Sequence, residues 1–307
     1  MNGLLIIDKP AGITSHDVVG RVRHILHERR VGHTGTLDPF ATGVLLVLVG
    51  RATRLAQFLS ADDKEYDAII RIGYATDTGD ITGAPLSEPT ATSGWTEDLI
   101  EAAMATLRGE IEQTPPMYSA KKIAGRKLYE LARRGEEVER KPIRVCIHQF
   151  EPIRPGGELI KDNRDGTFDF YVHVRCSSGT YVRTLAEDFG KRLNVGAHLA
   201  ELKRTSVGNF QLTDAITLDK LKSRFTEEAL GTVLVPPDSA LSHMPFVHLS
   251  DSDARKAQHG MEVEIKGKWA DGTTVRMCDE SGELIAVGNF RTDVQRLHPR
   301  VVIAPVE

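Results

Sequence analysis

The chain has 307 residues, 40% hydrophobic and 27% charged, the composition of an ordinary globular protein with room for one large domain and a small one. Its three cysteines, Cys146, Cys176 and Cys278, stand far apart with no Cys-x-x-Cys pair, which argues against a disulfide framework or a zinc knuckle and fits a reducing compartment. A formal net charge of −4 gives no global pull on a polyanion, and the N-terminal apolar run is too short for a signal peptide or a membrane span, so a soluble, cytoplasmic protein is expected.

Residues 3–7 read as a short buried strand, closed by the turn Asp8-Lys9-Pro10-Ala11-Gly12. Val18, Val19, Val22, Ile25 and Leu26 recur at helical spacing, Thr14 and Asp17 are placed for a capping box, and Arg29 and Arg30 suit the C-terminal dipole, so a helix is expected from Ser15 to Arg29. His24 and His27, one turn apart with no third ligand nearby, read as surface residues. Val44 to Val49 is a continuous apolar run, the signature of a strand buried on both faces. A short helix over Thr53–Leu59 and a strand over Glu65–Tyr74 follow, then a turn-rich stretch from Thr76 to Pro89. Thr96 is placed to cap a helix reaching Leu107, with Leu99, Ala103 and Leu107 facing inward. A helix near Leu128–Arg133, strands at about 143–150 and 168–176 around a charged loop, a helix over Thr180–Leu193 burying Val182, Leu185, Phe189 and Leu193, and a strand near 202–210 complete the first part. Strands and helices mix without strict alternation, which predicts a mixed, mainly antiparallel α/β sheet. Pro236-Pro237-Asp238 marks a linker, and the remaining residues, with short strands and one helix, predict a small β-barrel-like module. Its eight Lys/Arg against ten Asp/Glu assign it at most an auxiliary contact role.

The loop from Gly32 to Gly43 reads Gly-His-Thr-Gly-Thr-Leu-Asp-Pro-Phe-Ala-Thr-Gly and presents one carboxylate, Asp38, with no second acid, metal-ligand set or Ser/His pair alongside. As an anonymous connection it is ordinary turn chemistry. As a site, a solitary acid on a rigid loop suits covalent chemistry better than two-carboxylate hydrolysis. Charge is also uneven: residues 121–144 hold nine Lys/Arg against four Asp/Glu. That segment can be a solvated helix face or a face that tracks phosphates.

Five strings in one order carry a family resemblance: Leu-Leu-Ile-Ile-Asp-Lys-Pro-Ala-Gly at the start, the Gly32–Gly43 loop, Lys64-Glu-Tyr66, Pro116-Met-Tyr-Ser-Ala-Lys121 and Cys176-Ser-Ser-Gly-Thr-Tyr-Val-Arg-Thr184. Together they resemble the TruB family of bacterial tRNA pseudouridine-55 synthases over nearly the whole length. The resemblance implies an α+β catalytic domain over 1–240, with a thumb-like RNA-binding insertion at about 114–142, and a PUA-like RNA-binding domain over 246–307. It implies isomerisation of a T-loop uridine in tRNA, the base being detached from C1′ and rejoined through C5. By position, Asp38 matches the nucleophile, Tyr66 the tyrosine stacked near the target base, and Arg183 the arginine that pairs with the aspartate. Tyr181 and Leu202 match pocket-lining residues, and His33 the histidine that holds the flipped bases. Lys9, with Pro10, is expected to shape the sheet next to the active loop and is counted among the substrate- and RNA-binding residues, and Lys121, Lys122, Arg126 and Lys127 fall in the thumb, expected to order on RNA and touch phosphates.

These roles make chemical sense. The reaction is redox-neutral and releases no fragment, so no metal and no organic cofactor is expected. A uridine in a folded loop must be extruded before its glycosidic bond can be reached. Aromatic and imidazole faces restore lost stacking, worth about 1–3 kcal/mol per base. A guanidinium beside Asp38 is expected to hold its carboxyl in the charged form, and its planar fork fixes the carboxylate's orientation as a lysine could not. The expected partner is the T arm of tRNA, with no membrane, no obligate protein partner, and a monomer as the working state. A tRNA-binding folding factor and a guide-dependent subunit of box H/ACA particles remain as alternatives.

Overall fold

The computed structural model describes residues 1–89, 94–119, 121–123, 125–132, 134–136, 138–223 and 233–304. In chain order the first thirteen strands are β1 (Gly3–Lys9), β2 (Val31–Thr34), β3 (Thr42–Val49), β4 (Lys64–Ile72), β5 (Gly109–Gln113), β6 (Lys122–Ile123), β7 (Arg126–Lys127), β8 (Ile143–Pro152), β9 (Ile160–Asp162), β10 (Phe168–Cys176), β11 (Ala197–Val207), β12 (Phe210–Gln211) and β13 (Ile216–Thr217). All but the β6–β7 hairpin join one eleven-stranded sheet whose spine runs β13-β1-β3-β11-β4-β10-β8-β5. Within this sheet, among the described residues, only β1–β13 and β3–β11 pair in parallel; the remaining pairs are antiparallel, as the lack of strict alternation predicts.

The helix α1 (Ser15–Leu26) opens on the expected capping box between Thr14 and Asp17. It stops three residues short of Arg29, because His27 takes a left-handed conformation (φ 50°) that ends the turn. Val18, Val19, Val22 and Leu26 pack on β1 and β3. The continuous apolar run of β3 has a direct cause. Leu45, Val47 and Val49 face α1, while Val44, Leu46 and Leu48 face a second cluster on the other side. Strand β4 instead alternates, burying Lys64, Tyr66, Ala68, Ile70 and Ile72 on one face.

After a short helix α2 (Ala56–Leu59), α3 (Glu97–Ala105) is capped by the Thr96 hydroxyl as expected. The inward face differs from the expected one. Ile100, Ala103, Met104 and Leu107 are buried, and Leu99 is 47% exposed. The i, i+3, i+4, i+7 stripe starts at Ile100, and Leu99, one position earlier, turns to solvent. In the thumb-like segment, α4 (Leu128–Ala132) buries Leu128 and Leu131. Arg133 lies outside the described residues, as do the side chains of Lys122 and Lys127. The helix α5 (Val182–Arg192) buries Val182, Leu185 and Phe189, and Leu193 just after it, as its spacing predicts. Phe189 stacks on Phe170 of β10 at 5.1 Å between ring centroids.

The last five strands, β14 (Phe246–His248), β15 (Val263–Glu264), β16 (Thr274–Cys278), β17 (Leu284–Arg291) and β18 (Arg296–Val302), form a separate sheet in the order β14-β16-β17-β18-β15. The expected linker is not a free tether. Residues Pro237–Ala240 form one helical turn, and Leu241 is fully buried. Asp238 takes an ion pair from buried Arg276 at 2.5 Å. Cys278, Leu284, Val287, Val301 and Ile303 share one apolar cluster with Leu4 and Leu46 of the first sheet. No helix among the described residues is long and apolar enough to cross a membrane.

Candidate active site

The loop between β2 and β3 carries Asp38, and its backbone is held from several sides. The Ser15 hydroxyl accepts from Leu37 N at 2.9 Å and donates to Leu37 O at 3.1 Å. Gly12 N donates to Pro39 O at 2.8 Å. Lys9 is wholly buried, and its ammonium donates to Pro10 O, Pro39 O and Ala41 O at 2.9, 3.2 and 2.7 Å. Lys9 therefore supports the loop from beneath, with every donor occupied by a carbonyl and none facing an RNA surface. Desolvation lowers its pKa to about 8.

Arg183 enters from the first turn of α5, only 5% exposed. Its Nε lies 2.9 Å from Asp38 Oδ2 and its Nη2 donates to Oδ1 at 3.2 Å, a two-pronged grip that fixes the carboxylate plane. The guanidinium is itself fixed. Nη1 donates to Thr78 O at 2.9 Å and to Asp80 Oδ2 at 3.4 Å, and Nη2 donates to Tyr118 O at 2.6 Å. Asp80, 4% exposed, is held by Thr78 and Thr82, whose hydroxyls donate to its Oδ1 at 2.9 and 2.5 Å. The turn-rich stretch from Thr76 to Gly83 thus supplies a second carboxylate to the same arginine. Sequence periodicity does not announce that role; the dense Thr-Asp-Thr-Gly-Asp pattern was the available signal.

The Asp38 carboxyl is shifted in the direction opposite to the expected one. Burial pushes its carboxyl above the ordinary aspartate value, Arg183 pulls it back down, and Asp80 pushes it up again. Desolvation outweighs the guanidinium, so Arg183 limits the rise without reversing it.

This pair lines a cavity of about 270 Å³, the volume of a small planar ligand. Asp38, Tyr66, Lys121, Tyr181, Arg183 and Leu202 all line it, so the structure brings together six of the side chains singled out by sequence. Tyr66 is 7% exposed, and burial raises its phenol pKa. Tyr181 sits at the N-cap of α5, its backbone tied to the Gln113 side chain at 3.0 and 3.3 Å. Lys64 and Arg204, which carried no assigned role, also line the cavity. Period-2 alternation could have found both, because Lys64 shares a face of β4 with Tyr66 and Arg204 shares a face of β11 with Leu202. His33 does not line the cavity. It lies on β2, its Nδ1 buried without a hydrogen-bond partner, and desolvation lowers its pKa. Arg126 is exposed on the β6–β7 hairpin, 3.7 Å from Glu136.

The chain thus combines a mixed, mainly antiparallel sheet with an arginine-gripped carboxylate that lines a cavity. Solved structures of the same shape include a Cbf5-Nop10-Gar1 complex (TM-score 0.75, 28% identity, covering 99% of this chain and 85% of that one). A second is an H/ACA RNP bound to a substrate RNA containing 2′-deoxyuridine (TM-score 0.74, 26% identity, 99% and 85%). The family model for the TruB family pseudouridylate synthase N-terminal domain matches residues 23–182. Those for the tRNA pseudouridylate synthase B C-terminal domain and the Pseudouridine synthase II TruB C-terminal segment match 183–242 and 245–303. A protein of Bacillus pumilus described as tRNA pseudouridine synthase B is 44% identical over 290 residues, 94% of this chain and 92% of that one. Its namesake from Pseudomonas aeruginosa is 42% identical over 311 residues, 99% and 96% of the two chains. The chain belongs to the TruB family of pseudouridine synthases.

Proposed function

We propose that the protein isomerises a T-loop uridine of tRNA, at position 55, to pseudouridine, with Asp38 as nucleophile and Arg183 as the group that orients and charges it. The observation that carries this reading is the two-pronged Asp38–Arg183 pair that lines the cavity. The ionised Asp38 attacks the extruded nucleoside. The detached uracil turns and rejoins the ribose through C5, and the aspartate is released unchanged. Nothing is oxidised and the formula is unchanged: the C1′–N1 bond breaks, the C1′–C5 bond forms, C5 gives up its proton and N1 takes one up. Tyr66 offers its ring to the flipped base and its hydroxyl as a proton relay, and Tyr181 and Leu202 complete the apolar walls. His33 packs against the bases that the extrusion displaces.

The catalytic part is assigned to residues 1–240 and the RNA-binding C-terminal part to 246–307. The basic segment around Lys121, Lys122, Arg126 and Lys127 is assigned phosphate contacts. Affinity for tRNA is then expected to fall roughly tenfold or more between low and physiological salt. A salt-independent affinity removes that assignment. The cytoplasm is the compartment assigned to the enzyme, in keeping with a tRNA substrate.

The decisive experiment is Asp38→Asn, assayed for product and for tRNA binding. Product is expected to vanish while affinity for the T arm persists; undiminished turnover by the variant sinks the reading. Activity on a bare T-arm stem-loop, with no guide RNA and no added protein, separates this reading from a guide-dependent one.

A further inference from the structure

Arg204 is among the largest side chains the fold buries completely, 1% exposed, and it is a cation. Its partners are backbone oxygens: Nε donates to Val44 O at 2.7 Å and Nη2 to Gly35 O at 2.9 Å. Gly35 begins the loop that carries Asp38, and Val44 lies just past the loop's other end, as the third residue of β3. One planar guanidinium therefore pins both ends and fixes their separation, which the point charge of a lysine cannot do.

The surrounding backbone is shaped to this contact. Gly43 has φ +97°, and a Cβ there would fall 2.2 Å from the Arg204 carbonyl oxygen, so the start of β3, where the loop ends, lies flush on β11. Arg204 is the register partner of Gly43 on β3 and of Tyr66 on β4. It thus stands between the strand that receives the Asp38 loop and the strand that carries the phenol. Its guanidinium lies beside the Tyr66 hydroxyl, where its charge favours the ionised phenol against the opposing effect of burial. The side chain also lines the same cavity as Asp38 and Tyr66. Lys9 is not its equivalent, because the lysine holds only the later part of the loop, at Pro39 O and Ala41 O, and does not line the cavity.

We propose that Arg204 is a positioning residue for the isomerisation: it locks both ends of the Asp38 loop to β11 and keeps that loop, the Tyr66 hydroxyl and a fixed positive charge at one spacing. This rests on the reading of Asp38 as nucleophile given under Proposed function. Arg204 itself makes no bond to the reacting atoms.

Single-turnover rates and T-arm RNA affinity of Arg204→Met and Arg204→Lys test it. In Arg204→Met the rate is expected to fall about 100-fold with RNA affinity unchanged, because a displacement of about 1 Å at the reacting groups costs that much. Arg204→Lys restores the charge without the fork and is expected to lie between Arg204→Met and the parent. The alkaline ionisation of Tyr66, read as the ultraviolet tyrosinate signal that Tyr66→Phe removes, moves to higher pH in Arg204→Met and stays in place in Arg204→Lys. A purely structural role would not separate the two variants in that signal. A folded Arg204→Met protein with the parent rate overturns the proposal, and so does a loss confined to RNA affinity. If Arg204→Met does not fold, Arg204→Lys decides, and the parent rate there overturns it. Asp38→Asn is the reference. Turnover by that variant sinks the catalytic reading whatever Arg204 does, whereas an inert Asp38→Asn beside a fully active Arg204→Met sinks the Arg204 inference alone.

Discussion

Burial and the Arg183 guanidinium pull the Asp38 carboxyl in opposite directions, and the nearby Asp80 charge adds a second push upward. The nucleophile must be ionised, so activity is lost as pH falls through a pKa that stands above the ordinary aspartate value. Replacing Asp80 by Asn removes a negative charge that raises this pKa. The acid limb of the kcat/KM profile should therefore move to lower pH, while kcat falls because Arg183 loses one of its fixed partners. An acid limb that stays put or moves upward contradicts the shared-guanidinium picture. Arg183→Lys keeps the charge but cannot grip both carboxylate oxygens, and its kcat is expected to drop about 100-fold. Steady-state kinetics on a T-arm substrate checks both.

The Asp38 loop and the strands around it form a unit braced by carbonyl contacts. Lys9→Met leaves buried oxygens of Pro39 and Ala41 without their donor, at a cost of about 1–3 kcal/mol in unfolding free energy. The lysine also gives stability a pH dependence. Its folded pKa is lowered to about 8 from 10.5, so between those values the unfolded chain holds the proton and the folded one does not. Its contribution is fully present above about 10.5 and is lost as pH falls through about 8. Denaturant titrations across that range should show a rise in the parent that Lys9→Met lacks. Gly43→Ala tests the close approach of β3 and β11. A side chain at φ +97° meeting the Arg204 carbonyl should cost at least about 2–3 kcal/mol and take activity with it.

Across the whole molecule, the second sheet is fastened to the first. Arg54 and Arg51 donate to Val302 O and Ile303 O at 2.7 and 3.3 Å, Arg276 pairs with Asp238, and one apolar cluster spans both sheets. A single cooperative thermal transition is expected, since neither sheet can leave without opening the shared cluster. Asp238→Ala strands the buried Arg276 charge, and because Asp238 is itself one-third exposed the loss should be about 2–3 kcal/mol. Two separate melting steps in the parent protein contradict the shared core. The sequence suggested a linker here because Pro236-Pro237 breaks regular structure; it carried no mark that Leu241 would be fully buried.

Local pattern decided what depends on neighbours along the chain. The Thr14–Asp17 cap, the doubly apolar β3, the buried face of α5 and the lone carboxylate in a glycine-punctuated loop all follow from spacing within a few residues. The family resemblance then pointed to Asp38, Tyr66, Tyr181, Arg183 and Leu202, and the fold gathers these around one cavity. Tertiary structure alone decided the rest. It set Asp80 against Arg183, turned Lys9 and Arg204 onto backbone oxygens, rotated Leu99 outward and let desolvation exceed the guanidinium at Asp38. The reason is physical. A carbonyl oxygen is present at every residue, so a cation that binds one has no partner visible in sequence. Burial, which sets the sign of a pKa shift, exists only once distant segments have packed together.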